Sequence, residues 1–229
     1  QGTAAVKLDK PGLVIMCADN GVVAEGVSQV GQEVTSTVTA NFVQHATSVA
    51  IMSAKAGVDI FPVDIGVNND FPAELHAKGL IDRKIAYGTQ NMVQEPAMTE
   101  AEAVQAIEVG LNLAVALAEQ GYNILATGEM GIGNTTSSSA ILSVLLDEPV
   151  EKMTGIGSGL TRAGIQRKQQ AIATAIAKHR PDAQKPLDVL AKVGGLDIAG
   201  LVGVFLGGAL CGVPVLIDGV ISGAAALLA

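Results

Sequence analysis

Asn123-Ile-Leu-Ala-Thr-Gly-Glu-Met-Gly-Ile-Gly-Asn-Thr-Thr136 reads as a strand, a glycine turn and the start of a helix. Asn123–Thr127 has the length and apolar content of a buried strand. In the loop Gly128–Thr136, glycines remove the side chains that would keep an anion away from the backbone. A turn that feeds a helix N-terminus also offers N–H groups and a positive dipole end, which suits a phosphate. No Lys-Ser/Thr pair follows the glycines and the full G-x-G-x-x-G spacing is missing, so this is neither a P-loop nor a dinucleotide fingerprint.

Outward from this stretch, short apolar runs alternate with helical patterns. Toward the N-terminus, Leu13–Ala18 reads as a buried strand and Val58–Ile65 as another, with Pro62 weakening its central pairing. Between them, Val34, Val38, Phe42, His45, Val49 and Met52 form a stripe at helical spacing, predicting one helix ended by Gly57. The stretch from Gly66 to Glu95 reads as loop with a short strand around Arg83–Tyr87. Thr99 with Glu102 makes a capping box, opening a helix with the stripe Val104, Ile107, Leu111 and Val115 and closed by Gly121. Toward the C-terminus come a helix through Leu146, a second glycine loop at Gly155–Gly159, a helix over Thr161–Lys178, apolar helices over Leu187–Leu210 and a strand at Val213–Ile217. Gly219–Ala229 begins an apolar helix and stops. This order predicts an α/β fold, a mostly parallel sheet with helices on both faces, in a single domain over residues 1–229.

Composition narrows the function classes. Of the 229 residues, 49% are hydrophobic and 16% charged, with 4 Phe, 2 Tyr and no Trp, so the core is built from Ala, Val, Ile and Leu. A net charge of −8 excludes a general nucleic-acid or anionic-membrane surface, and any anion site must be local. Cys17 and Cys211 lie in apolar runs and read as buried small side chains. Ile198–Ile217 is twenty uncharged residues, long enough to span a bilayer, and Gly203-x-x-x-Gly207 within it suits close helix packing. Its five glycines, Pro214 and the strand-like end favour a buried helix, a turn at Gly212 and a buried strand. No signal-peptide pattern is visible, so a cytoplasmic protein without a membrane partner is expected.

Four acids follow or end strands: Asp19, Asp64, Glu129 and Asp218. Ligands of parallel sheets bind beyond the carboxyl ends of strands, so the four form a candidate site lip. Each alone could equally cap the loop or helix that follows it. Lys168 sits beside the apolar stripe of its helix, between Ile165 and Ile172. Two readings stand for it: a side chain that snorkels to the surface, or a cation that neutralises a phosphate held by the glycine loops. His45 reads as a core or interface histidine. No ligand spacing points to a metal, and no cofactor is expected.

Five motifs, in order, resemble the nicotinate-nucleotide–dimethylbenzimidazole phosphoribosyltransferase family. They are Cys17-Ala-Asp-Asn-Gly-Val22 with Glu25-Gly26-Val27, Gly128–Thr136, Gly155-Ile-Gly157, Asp188–Gly195 and Pro214–Gly219. The resemblance implies a Rossmann-like large domain that moves the phosphoribosyl group of nicotinate mononucleotide onto 5,6-dimethylbenzimidazole or a related base. The products are α-ribazole 5′-phosphate and nicotinate, in cobalamin biosynthesis, with no metal required. By the same resemblance, Glu129, Met130, Gly131, Ile132, Gly133, Gly157 and Lys168 hold the phosphoribosyl group, with Asp218 and Gly219 at the sugar end. Val30 and Val38 stand where better-known members carry polar residues of the base pocket, which suits a less polar acceptor. The family's C-terminal general-base glutamate and most of its small helical domain have no counterpart here, so a chain truncated at both ends is expected and no residue is assigned as the base. A homodimer is the implied assembly. A non-catalytic nucleotide-binding subunit paired with a catalytic paralogue is the second reading, and a generic nucleotide-binding oxidoreductase the third.

Overall fold

The computed structural model describes residues 4–157 and 159–229, so Ser158 of the second glycine loop and Gln1–Thr3 lie outside the described residues. In chain order the elements are β1 Pro11–Ala18, α1 Glu33–Phe42, α2 Ser48–Ala56, β2 Asp59–Gly66, α3 Ala73–Ala77, β3 Ile81–Asp82 and α4 Glu100–Glu119. They continue with β4 Ile124–Met130, α5 Asn134–Leu145, α6 Val150–Met153, α7 Arg162–His179, α8 Pro186–Val193, α9 Leu196–Cys211, β5 Val215–Leu216 and α10 Gly219–Leu228. A short 3-10 helix, Gly21–Glu25, follows β1.

All strand pairs are parallel, in the order β3-β2-β1-β4-β5. β1 is buried from Gly12 to Ala18 because it lies mid-sheet with both faces covered, which explains its unbroken apolar run. Val14, Met16 and Ala18 face the larger core, shared with α4, α5, α7, α8, α9 and α10. Leu13, Ile15 and Cys17 face the opposite side, with Phe42 of α1 and Val67. Pro62 is accommodated because β3 pairs with β2 only at Val63 and Asp64, leaving the free edge of β2 open at the proline.

The chain leaves β1 toward β2 on one side and returns to β4 on the other. The direction of winding therefore reverses between β1 and β4, and a crevice opens beyond their carboxyl ends. Below it, α9 crosses α4 at backbone contact. A Cβ on Gly110 would strike the carbonyl oxygen of Gly200, and one on Gly203 would strike that of Ile107.

Several expectations need correction. The stripe from Val34 to Met52 is two helices, not one: His45 turns the chain at φ 54, and Thr47 caps α2. Their buried positions are Thr35, Thr39, Phe42, Ala50 and Ser53, while Met52 is 67% exposed. In α4 the capping box forms as read, yet the buried face is Ala103, Ala106, Gly110, Ala114 and Leu117. Four of these five are Ala or Gly, as a close crossing requires, while the larger Val104 is 40% exposed. β3 comes two residues before the stretch expected. Cys17 is buried but Cys211, in the last turn of α9, is exposed. The apolar stretch after Asp197 is a buried helix closed by Gly212, but the strand that follows is a short edge strand whose Leu216 is 53% exposed. By length and composition α4 is the one helix among the described residues that could cross a membrane; α9 is shorter.

Candidate active site

β4 extends deeper than the sequence implied. Glu129 and Met130 pair with Met16 and Cys17 of β1, so the glycine turn is only Gly131-Ile132-Gly133. Gly133 adopts φ 98, a left-handed conformation that suits glycine, and α5 starts at the next residue without a side-chain cap. The α5 N-terminus thus lies just beyond the end of β4, with no side-chain cap on its dipole. The turn is tied to α1 by Thr35 Oγ1, which accepts the Ile132 N–H at 3.2 Å.

Polar side chains crowd this point although the surrounding core is apolar. Asp19, Asn20, Asn134, Ser137, Lys168 and Asp197 are all buried. Asn20 Oδ1 accepts from Ser137 Oγ at 3.1 Å, and its Nδ2 has no partner. Asn134 Nδ2 donates both to Glu129 Oε2 and to Asp197 Oδ2, the latter at 2.8 Å. Burial raises the Glu129 carboxyl above its usual range against the pull of Asn134. Burial is also the main reason Asp197 is pushed up to about 7, with the Glu129 charge adding to it.

Lys168 is only 1% exposed, so the snorkelling reading is set aside. Its Nζ donates to Thr135 Oγ1 at 2.8 Å and forms no salt bridge among the described residues. Burial alone lowers it to about 8. Gly157, at φ 51, closes over the pair: a Cβ there would lie 3.1 Å from Thr135 Oγ1 and 3.3 Å from Lys168 Nζ. Lysine and threonine hydroxyl therefore meet at the N-terminal turn of α5, an arrangement that suits a phosphate.

A cleft of about 480 Å³ runs past Glu129. It opens where β5 stops: β5 pairs only with Leu125 and Ala126, leaving the edge of β4 uncovered at Thr127, Gly128 and Glu129. Leu13, Ile15, Phe42 and Val49 form its apolar wall, and Asp218 stands at its rim, exposed, with Gly219 next in the chain. Val38 packs in the same apolar cluster as Leu13, Ile15 and Phe42, whereas Val30 precedes α1, is 40% exposed and does not line the cleft.

Of the four strand-end acids, three remain available and one is spent. Asp64 pairs with Lys84 at 2.8 Å and accepts the Val67 N–H at 2.9 Å. Asp19 Oδ2 accepts the Asn68 N–H at 2.8 Å while Oδ1 is buried without a partner, and burial raises its pKa. His45 is exposed between α1 and α2, so the core half of its reading is set aside, because the chain turns there. His76 and His179 bond the carbonyl oxygens of Leu80 and Met92. Among the described residues, no group of three or more His, Cys, Asp or Glu is placed to hold a metal ion. Sequence reading passed over Asn134, Thr135 and Asp197. Asp197 had a signal, an acid two residues after Gly195 at the head of a long apolar helix.

A family model described as phosphoribosyltransferase matches residues 1–229. A protein of Acetivibrio thermocellus named nicotinate-nucleotide–dimethylbenzimidazole phosphoribosyltransferase is 50% identical over 97% of this chain and 62% of its own length. One of the same name from Clostridium acetobutylicum is 49% identical over 95% of this chain and 60% of its own. The crystal structure of CobT from Thermus thermophilus superposes with a TM-score of 0.92 at 39% identity, over 97% of this chain and 66% of that one. The chain thus spans about 60% of the length of the first curated relatives it matches.

Proposed function

The chain belongs to the nicotinate-nucleotide–dimethylbenzimidazole phosphoribosyltransferase family, and from that premise we propose that it carries the donor half of a phosphoribosyl-transfer site. The reaction proposed takes nicotinate mononucleotide and 5,6-dimethylbenzimidazole, or a related base, to α-ribazole 5′-phosphate and nicotinate. The observation that carries this reading is the convergence of buried Lys168, Thr135 and the α5 N-terminus beside the Glu129 carboxylate.

In this reading the phosphate enters against Lys168 and the turn Met130-Gly131-Ile132-Gly133, with Gly157 giving it room. The ribosyl carbon lies toward Glu129, with Asp218 and Gly219 at the sugar end. The bond from C1′ to the nicotinate nitrogen breaks with its electron pair going to that nitrogen, which is already cationic in the substrate and so leaves without metal assistance. Positive charge grows on the ribosyl group and the Glu129 carboxylate stabilises it. The unprotonated ring nitrogen of the base then bonds C1′ through its lone pair, and the other ring nitrogen gives up its proton to solvent. The apolar wall of Leu13, Ile15 and Phe42 supports a flat, weakly polar acceptor, with Val38 behind it. Val30, which does not line this cleft, contributes to the base pocket only if the site rearranges. A homodimer is the proposed assembly, tested by sedimentation of the full-length gene product.

The full-length gene product is incubated with nicotinate mononucleotide and dimethylbenzimidazole, alone and with any paralogue, and nicotinate release is followed. Release with formation of α-ribazole phosphate is expected. Release only with a paralogue supports a nucleotide-binding subunit instead, and tight NAD binding with neither product supports an oxidoreductase.

A further inference from the structure

Asp197 is 0% exposed, the second residue of α9, and has no cation beside it among the described residues. A buried carboxylate without a cation is among the least favourable groups a fold retains. An acid in the first turn of a helix also satisfies the dipole when half exposed, so helix capping does not account for complete burial. Its surroundings are shaped around it. A Cβ on Gly131 would collide with Asp197 Oδ2 and lie 2.6 Å from the Ala18 carbonyl oxygen; one on Gly195 would lie 2.6 Å from Asp197 Oδ1 and from Asn20 Oδ1.

Asp197 Oδ1 accepts the Ile198 N–H at 3.0 Å, and Oδ2 accepts Asn134 Nδ2 at 2.8 Å. The same Asn134 nitrogen donates to Glu129 Oε2. An amide nitrogen has two hydrogens, enough to donate one to each carboxylate. We propose that Asp197 is a positioning residue: it takes one Asn134 N–H and thereby aims the other at Glu129, locking the Glu129 carboxylate against the reacting sugar. This rests on the donor-site reading above. The titratable groups around the pair are Glu129 of β4 with Asp218 beyond β5, and Cys17 of β1, whose thiol burial keeps protonated.

The test uses the full-length gene product and the variants Asp197→Ala, Asp197→Asn, Asn134→Ala and the double Asn134→Ala/Asp197→Ala. Turnover and the KM for nicotinate mononucleotide are measured from about pH 5.5 to about 8.5, a range that spans the Asp197 value of about 7. Either alanine variant lowers kcat roughly tenfold or more while KM moves less than about threefold, as expected for geometry held in the transition state. The double variant loses no more than the worse single one, because both remove the same link. Asp197→Asn, whose amide oxygen can still accept the Asn134 N–H, keeps kcat within about threefold of the wild type. Losses that multiply in the double variant, or an Asp197→Asn variant no better than Asp197→Ala, overturn the proposal. If the alanine variants do not fold, the near-isosteric Asp197→Leu, which cannot accept the Asn134 N–H, replaces them, and a kcat equal to that of Asp197→Asn overturns the proposal. An inactive wild type removes the donor-site reading and this proposal with it; an active wild type with unmoved variants removes only the positioning role.

Discussion

In the proposed function, Lys168 ties phosphate binding to stability. Burial lowers its pKa from 10.5 to about 8, so near neutral pH the ligand-free fold holds a charged amine that water would solvate better. Relative to an unfolded lysine this penalty is full below about pH 8 and disappears as pH rises toward 10.5. Lys168→Met, of similar length and uncharged, is expected to stabilise the ligand-free protein at pH 7 by about 1–3 kcal/mol in urea unfolding. If the proposed function holds, nicotinate mononucleotide raises the thermal stability of the wild type, and the variant is expected to lose that increment because the phosphate no longer meets a cation. Glu129→Gln keeps the hydrogen-bonding shape but not the charge. It is expected to lower kcat by roughly a hundredfold or more with little change in nucleotide affinity by calorimetry. Lys168 and Glu129 were legible in the sequence, one beside an apolar stripe and one in a glycine-rich turn. Asn134 and Thr135 were not, because a polar residue at a helix start looks the same whether it meets solvent or a buried carboxylate.

At the scale of elements, the crossing of α4 and α9 holds the larger core together, and glycine permits it. Gly110→Ala would drive a methyl into the Gly200 carbonyl and separate the helices, with an expected loss of about 3 kcal/mol in urea unfolding. Gly223→Ala is the control: a Cβ there meets nothing within 4 Å in the interior of α10, so a gain of about 0.5–1 kcal/mol is expected. The α4 stripe read from Val104 and its partners failed for the same reason. Periodicity identifies a helix, but ranking faces by side-chain size assumes that the largest apolar groups face inward. Where two backbones touch, the smallest do. The Val34–Met52 stripe failed differently, since a φ of 54 at His45 lies in the chain's path rather than in its hydrophobic pattern.

For the whole molecule, burial raises Asp19, Asp64, Glu129 and Asp197 together. A carboxyl with a raised folded pKa binds a proton more tightly in the folded chain. Its contribution is full below the unfolded value near 4 and is lost as pH rises through the folded value, which for Asp197 is about 7. Self-repulsion of a chain with net charge −8 acts in the same direction as pH rises. Lys168 regains stability only above about 8. The melting temperature of the ligand-free protein is therefore expected to be higher at about pH 5.5 than at about pH 7.5, and nicotinate mononucleotide to give its largest increment near the latter. A flat profile between those two values in scanning calorimetry would contradict the burial of these acids.

The sequence by itself determined the alternation of strands and helices, hence a parallel sheet, and the glycine turn at the end of β4, because periodicity and glycine are local properties of the chain. It also carried five motifs in order, enough to indicate the family. Only the tertiary structure decided that Asp64 is bound to Lys84 while Asp19 keeps an unpartnered oxygen, that Lys168 is buried against Thr135, and that Asn134 joins Glu129 to Asp197. Those relations link residues 20 to 63 positions apart, apart from the local reach from Asn134 to Glu129. They arise where β1 and β4 part and α5, α7 and α9 close over the gap, so the pattern of any one segment contains no trace of them.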